Sequence, residues 1–193
     1  MTVDLIIVFI YSYLLGSIPF GLIIIKFFLK NDIRKIGSGN IGATNVLRTG
    51  KKTLAVLTLL LDATKGYLSI FIAITYYNEL VYLAGLACFI GHIFPLWLKF
   101  KGGKGVATYL GIIFALSFKF GLIFGLTWLL LLSIFKYSSL SSVCATLMVF
   151  LYSLILNNHS LNIYLFITLV MILFTHKENV KRLKNGTENK IKI

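Results

Sequence analysis

The chain has 193 residues, of which 58% are hydrophobic and only 13% charged, with a mean hydropathy of +0.90. That excludes a soluble domain of this size and marks an integral membrane protein. Its 19 Lys and Arg against 6 Asp and Glu leave a net charge of +13, which in a membrane-bound chain points to anionic head groups and anionic substrates rather than nucleic acid.

In chain order, seven apolar runs are predicted as helices: Val3 to Leu29, Thr53 to Tyr77, Leu80 to Trp97, Val106 to Ser117, Phe120 to Phe135, Leu140 to Leu156 and Ile163 to Thr175. The first is long enough to cross a hydrocarbon core of ~30 Å, and it reads as a span rather than a leader because no A-x-A-like site follows it. Gly16, Ser17, Pro19 and Gly21 kink it. Several later runs are short for a perpendicular span and begin part-way into the bilayer or bury polar ends. Asp62 and Lys65 stand inside the second run at a spacing that puts them on one helix face, which suits a buried pair or a polar cavity. Cys88 and Cys144 lie in apolar runs and read as packing residues. No linker, soluble domain or internal repeat breaks the pattern, so residues 1–193 are taken as one all-α, polytopic membrane domain.

Seven crossings put the termini on opposite sides. With the N-terminus outside, 17 of the Lys and Arg fall on the cytoplasmic segments and one, Lys119, on an outer segment. The expected topology is therefore seven transmembrane helices with a cytoplasmic C-terminus. It gathers Ser38 to Arg48, His92 to Lys104, Ser138 to Ser142 and His176 to Asn179 on one cytoplasmic surface, and three of these lie in glycine-rich or basic stretches.

The first stretch, Gly37-Ser38-Gly39-Asn40-Ile41-Gly42-Ala43-Thr44-Asn45-Val46-Leu47-Arg48, places three glycines within six residues. Such a backbone can turn several N–H groups toward one anion, with Ser38, Asn40, Thr44 and Asn45 as short polar side chains and Arg48 as a planar cationic fork. The segment from Ile41 reads as a helix start, whose N–H groups would favour a phosphate further. The second stretch runs from Gly91-His92 and Pro95 to Lys101-Gly102-Gly103-Lys104-Gly105, and the third is the basic tail from His176. Arg48, Lys104, His176 and, within the second run, Lys65 are the cations available to a phosphate pocket.

The same residues exclude other chemistries. The acids Asp4, Asp32, Asp62, Glu79, Glu178 and Glu188 include no pair spaced to bridge Mg²⁺, and His92, His159 and His176 lack zinc spacing. No metal and no cofactor is expected. Leu98 and Gly105 stand where a nucleotide-binding loop needs Gly and Ser or Thr. No serine has a nucleophile-elbow setting. Five residues beyond the three histidines come Trp97, Tyr164 and Lys181, so the His-to-Asp spacing of soluble-substrate acyltransferases fails as well.

Together, the first stretch with Arg48, then Gly91-His92 with Pro95 and Lys101-Gly102-Gly103-Lys104-Gly105-Val106-Ala107-Thr108, then His176-Lys177-Glu178-Asn179-Val180-Lys181-Arg182-Leu183 with Gly186 and Glu188, resemble the three motifs of the bacterial acyl-phosphate:glycerol-3-phosphate acyltransferases. The resemblance covers nearly the whole chain. It implies transfer of a fatty acyl group from acyl phosphate to the 1-hydroxyl of glycerol 3-phosphate, giving lysophosphatidate and phosphate in the first acylation of bacterial phospholipid synthesis. It also implies a cell-membrane location, membrane lipids as surroundings and no stable protein partner. The donor phosphate is then assigned to Ser38, Gly39, Asn40, Gly42, Thr44 and Asn45, and glycerol 3-phosphate to Arg48, Gly102, Gly103, Lys104, Ser142, His176 and Asn179. Arg48, Lys104, His176 and Asn179 form the catalytic set. Two bases stay open, His176 and a substrate phosphate oxygen, as do a structural and a catalytic role for His92. A transporter for a phosphorylated metabolite and a lipid-binding scaffold are the competing readings; the absence of paired repeats and the one-sided polar motifs argue against the first, and the second would not need Lys104 held between glycines.

Overall fold

The structure, a computed structural model, describes residues 2–191, and among these every regular element is helical. Ten α-helices follow one another: α1 (Thr2–Ser17), α2 (Phe20–Leu29), α3 (Ala43–Leu47), α4 (Lys52–Tyr76), α5 (Val81–Ile93), α6 (Val106–Leu116), α7 (Phe118–Phe135), α8 (Ser138–Leu154), α9 (His159–Thr175) and α10 (Lys177–Lys184). Each apolar run of the sequence appears as a helix. The first is broken at Pro19, whose missing N–H and non-helical backbone (φ -90°, ψ 71°) part α1 from α2.

The helices are inside-out relative to those of a soluble protein. On α9, Ile163, Phe166, Ile167, Val170, Leu173 and Phe174 are exposed, while Thr168 and the Tyr164 ring are buried. On α7 the exposed stripe is Leu122, Leu126, Leu129, Leu130 and Ile134. An apolar exterior over a partly polar interior suits a lipid surround, where a helix satisfies its own backbone. By length and apolarity, four segments among the described residues can cross a membrane: Thr2–Leu29, Lys52–Tyr76, Asn78–Leu98 and Phe118–Phe135. Helix α9 joins α10 through a bend of 60°, and together they qualify as a fifth, while α6 and α8 are shorter apolar helices.

The chain divides into two compact units, one ending at Leu116 and the other beginning at Ser117. In the first, α1 packs on α5 and α4 on α6, with α2 and α3 against α4. Small residues set those crossings: Gly16 and Gly91 meet the backbones of α5 and α1, and Gly66 and Gly111 those of α6 and α4. Any side chain there would strike a neighbouring carbonyl, so the helices approach as close-packed membrane helices do. In the second unit α8 packs against α7 and α9, and α10 lies against both α8 and α9. Hydroxyls at Ser141, Ser142 and Thr146 bond back to carbonyls one turn earlier along α8. They are thereby satisfied inside an apolar element.

Candidate active site

The glycine-rich loop of the first unit hangs between a 3₁₀ turn at Ile33–Lys35 and the short α3. Ile33, Ile41 and Val46 drop from it into an apolar cluster with Ile25 and Ala55, which fastens the loop to α2 and α4. Its polar centre is Asn45, 2% exposed. The Asn45 amide donates to Asn40 O at 2.8 Å, Ile36 O at 2.9 Å and Ile33 O at 3.1 Å, while its Oδ1 accepts from Ser38 N–H at 3.0 Å. One neutral side chain therefore closes the whole loop. Gly37, at φ 55°, must be glycine twice over, because its backbone is left-handed and a methyl would press on Asn45 Oδ1 and Arg48 Cδ.

Three of the loop amides that could face an anion are engaged within the loop itself. Ser38 N–H is taken by Asn45, Gly39 N–H by Ile36 O at 3.0 Å, and Gly42 N–H by Asn40 Oδ1 at 2.8 Å. Gly42 is the N-cap of α3, which is only five residues long, so the expected helix dipole is slight. Gly39 is exposed at φ 70°, Ser38 is exposed, Thr44 is half-buried on α3, and Arg48 closes the C-terminus of α3 with its side chain exposed. Just before the loop, Arg34 grips Asp32 at 2.7 Å. The Arg34 hydrogen bonds pull the Asp32 carboxyl down to about 2.

The second glycine-rich loop is tied to the end of α5. Gly103 N–H donates to His92 O at 3.1 Å and Gly102 N–H to Ile93 O at 2.9 Å, so these two amides also serve the fold. Gly103 is buried, Lys104 half-buried and Lys101 exposed. The two lysines differ in setting as the glycines around Lys104 suggest. Lys65, counted among the pocket cations from sequence, is instead turned to Asp62, 2.7 Å away, and to Ile18 O. That bears out the buried pair.

In the second unit, the tail folds into α10 and then reverses at Gly186, φ 68°. Glu188 comes back against the start of α8. It accepts from Asn179 Nδ2 at 2.6 Å, Arg182 Nε at 2.7 Å and Ser139 Oγ at 2.8 Å. Partial burial raises the Glu188 carboxyl, but the hydrogen bonds from Asn179, Arg182 and Ser139 together with the Arg182 charge hold it below its ordinary 4.5. Ile191 N–H to Lys136 O at 2.8 Å completes the closure. His176 and Asn179 are both buried, at 2% and 5% exposure, at and just after the bend between α9 and α10. His176 Nδ1 lies 2.8 Å from Ile172 O and 3.3 Å from Thr175 Oγ1, contacts that hold the ring at the bend. Ser142 is buried on α8, where its hydroxyl accepts from Trp128 Nε1 at 3.0 Å.

The glycerol-3-phosphate acyltransferase family model matches residues 6–186. The chain belongs to the glycerol-3-phosphate acyltransferase family. Relatives of that name in Pelagibacter ubique (strain HTCC1062) and Mesorhizobium japonicum are 55% and 48% identical, covering 98% and 99% of this chain and 99% and 98% of their own. Among solved structures, PlsY (YgiH), an integral membrane glycerol 3-phosphate acyltransferase, superposes in its glycerol 3-phosphate form with a TM-score of 0.93 at 37% identity, over 98% of this chain and 96% of that one. Its lysophosphatidic acid form gives 0.90 over the same shares. Membership in this family makes the chain an integral membrane acyltransferase of phospholipid biosynthesis.

Sequence reasoning quoted Glu188 as part of a motif without giving it a role. The available signal was Gly186, which permits the reversal that carries Glu188 back to Asn179. Nothing in the order of residues pairs Ser139 with Glu188, 49 positions apart.

Proposed function

We propose that this chain transfers a long acyl group from acyl phosphate to the 1-hydroxyl of glycerol 3-phosphate, releasing phosphate and 1-acylglycerol 3-phosphate. The observation that carries the reading is the likeness to one enzyme in both a glycerol 3-phosphate form and a lysophosphatidic acid form, two compounds related by a single acylation. Acyl phosphate fits as donor because it is a mixed anhydride, whose phosphate leaves without a covalent acyl-enzyme. The Cys88 thiol, fully buried and directed at Lys65 O, is no candidate nucleophile.

Positioning and charge stabilisation supply the acceleration. The hydroxyl oxygen attacks the acyl carbonyl carbon, the bond from that carbon to the phosphate oxygen breaks, and the hydroxyl proton passes to an acceptor. Ser38 and Thr44 are assigned to the donor phosphate and the developing oxyanion, and Arg48 to glycerol 3-phosphate. Gly39, Asn40, Gly42 and Asn45 shape that loop. Lys104, Ser142, His176 and Asn179 are assigned to glycerol 3-phosphate, and Gly102 and Gly103 allow Lys104 its place. His176, buried at the bend between α9 and α10, is the side-chain candidate for the general base, and a substrate phosphate oxygen is the other proton acceptor.

Donor choice is the test. Purified protein given acyl phosphate and glycerol 3-phosphate makes lysophosphatidate and phosphate in equal amounts, and acyl-CoA alone gives little product. Comparable turnover on acyl-CoA would overturn the reading. Seven transmembrane segments with the N-terminus outside and the active site facing the cytoplasm of a bacterial inner membrane are proposed from the one-sided distribution of Lys and Arg. Cysteines introduced beside Lys51 and Lys184 then label only after the membrane is opened. Labelling of both from outside intact cells contradicts that orientation.

A further inference from the structure

Four polar side chains of the first unit lie deep among the helices and are not needed as substrate contacts. They are Asp62 and Lys65 on α4, His92 on α5 and Thr108 on α6, none more than 4% exposed. Lys65 Nζ stands 2.7 Å from Asp62 Oδ1, outside ideal hydrogen-bond alignment, and donates to Ile18 O at 2.7 Å beside the break between α1 and α2. On the other side Asp62 Oδ1 is 3.7 Å from His92 Nδ1, and Thr108 Oγ1 is 3.1 Å from the same nitrogen. The imidazole is thus held by the Thr108 hydroxyl on α6, with the Asp62 carboxylate of α4 just beyond hydrogen-bond distance.

His92 touches the second glycine-rich loop by backbone and by ring. Its carbonyl accepts from Gly103 N–H, and a methyl on Gly103 would run into Nε2. The ring edge is the floor on which Gly103 lies, and Lys104 is the next residue. Charges inside a membrane protein are costly to keep, and a bare ion pair would be complete with Asp62 and Lys65. Here the polar contacts continue through His92 and Thr108 in one direction, to that floor.

We propose that Asp62, Lys65, His92 and Thr108 act as one positioning cluster that fixes the height and direction of Lys104, and so govern recognition of glycerol 3-phosphate without touching it. The proposal rests on the assignment of Lys104 to a substrate phosphate. It differs from a purely structural role because its effect must pass through Lys104.

A double-mutant cycle on the purified protein reads this coupling. Thr108→Val keeps the side-chain volume and removes the hydroxyl at His92 Nδ1. Loss of one buried hydrogen bond sets the scale, so the glycerol 3-phosphate KM rises about tenfold. The acyl phosphate KM and the melting temperature in detergent stay close to those of the parent, and Thr108→Ser restores the KM. In a Lys104→Ala background, Thr108→Val adds less than about twofold, because the group it positions is gone. The same factor in both backgrounds, an equal rise in both KM values, or no rise in the parent background would overturn the proposal. If Thr108→Val does not accumulate folded, His92→Asn goes through the same cycle, since it keeps a polar atom on the Nδ1 side and removes the ring edge under Gly103. Its expected and contrary outcomes are the same. A Lys104→Ala protein with unchanged glycerol 3-phosphate KM would strike the placement of Lys104 itself. A raised KM there with no coupling to Thr108 strikes only the cluster.

Discussion

The loop that leads to Arg48 and the tail that follows α10 are each closed by one polar side chain, but with opposite electrostatics. Asn45 is neutral, buried, and shared among three carbonyls and one N–H. Glu188 is an anion accepting from an amide, a guanidinium and a hydroxyl. A neutral clasp holds at any pH, whereas a carboxylate clasp needs its charge and loosens in acid. The difference separates two roles: the first loop is kept in one shape, and the tail is kept in place by a contact that a proton can remove.

The largest effect should come from breaking the neutral clasp. Asn45→Asp preserves size but replaces the donating amide with a carboxylate facing the carbonyls of Ile33, Ile36 and Asn40. Each backbone acceptor left buried without a donor costs about 1–3 kcal/mol, so the loop cannot hold its shape. Activity should fall by more than about a hundredfold on folded, detergent-purified protein. Near-normal turnover would mean that the loop does not need the shape described.

A smaller and reversible effect should follow from acid on the tail. The folded-state pKa of Glu188 is depressed, so its contribution is fully present above the ordinary value of 4.5 and is lost as pH falls through the lower folded-state value. Hydrogen exchange of the tail amides after Gly186, followed from neutral pH downward, should show protection fading below about pH 4.5, while Ser38 N–H in the Asn45-closed loop shows no corresponding step. Matching losses in the two segments would remove the distinction between the clasps.

Much of this was legible in the sequence, for reasons that also mark where it stopped. Apolar runs bounded by polar stretches announced the helices because period and length are local properties. Asp62 and Lys65 were readable as a pair because three residues on a helix bring them to one face. The spacing of His176 and Asn179 puts them on one face only if the tail is helical, and α10 begins at Lys177, so His176 stands at the bend that precedes it. What could not be read is direction. A polar residue in a glycine-rich loop looks alike whether it faces a substrate, as assigned to Asn45, or the loop's own carbonyls, as it does. The N–H groups of Ser38, Gly39, Gly42, Gly102 and Gly103 show the same limit, since glycine permits an anion cradle and a self-satisfied turn equally well. The meeting of Glu188 with Ser139 depends on tertiary packing, which no local pattern encodes.

The central claim is that a built site, rather than a generally basic surface, recognises phosphate, and two neighbouring lysines test it most directly. Lys104 is half-buried between Gly103 and Gly105, and Lys101 is exposed. Both alanine substitutions remove one positive charge. With glycerol 3-phosphate varied at saturating acyl phosphate, Lys104→Ala should lose kcat/KM by roughly ten- to a hundredfold, the worth of a charge-assisted contact of about 1.5–3 kcal/mol, and Lys101→Ala by less than about threefold. Equal losses for the two would contradict the account, because charge alone, wherever it sat in this cluster, would then explain the binding.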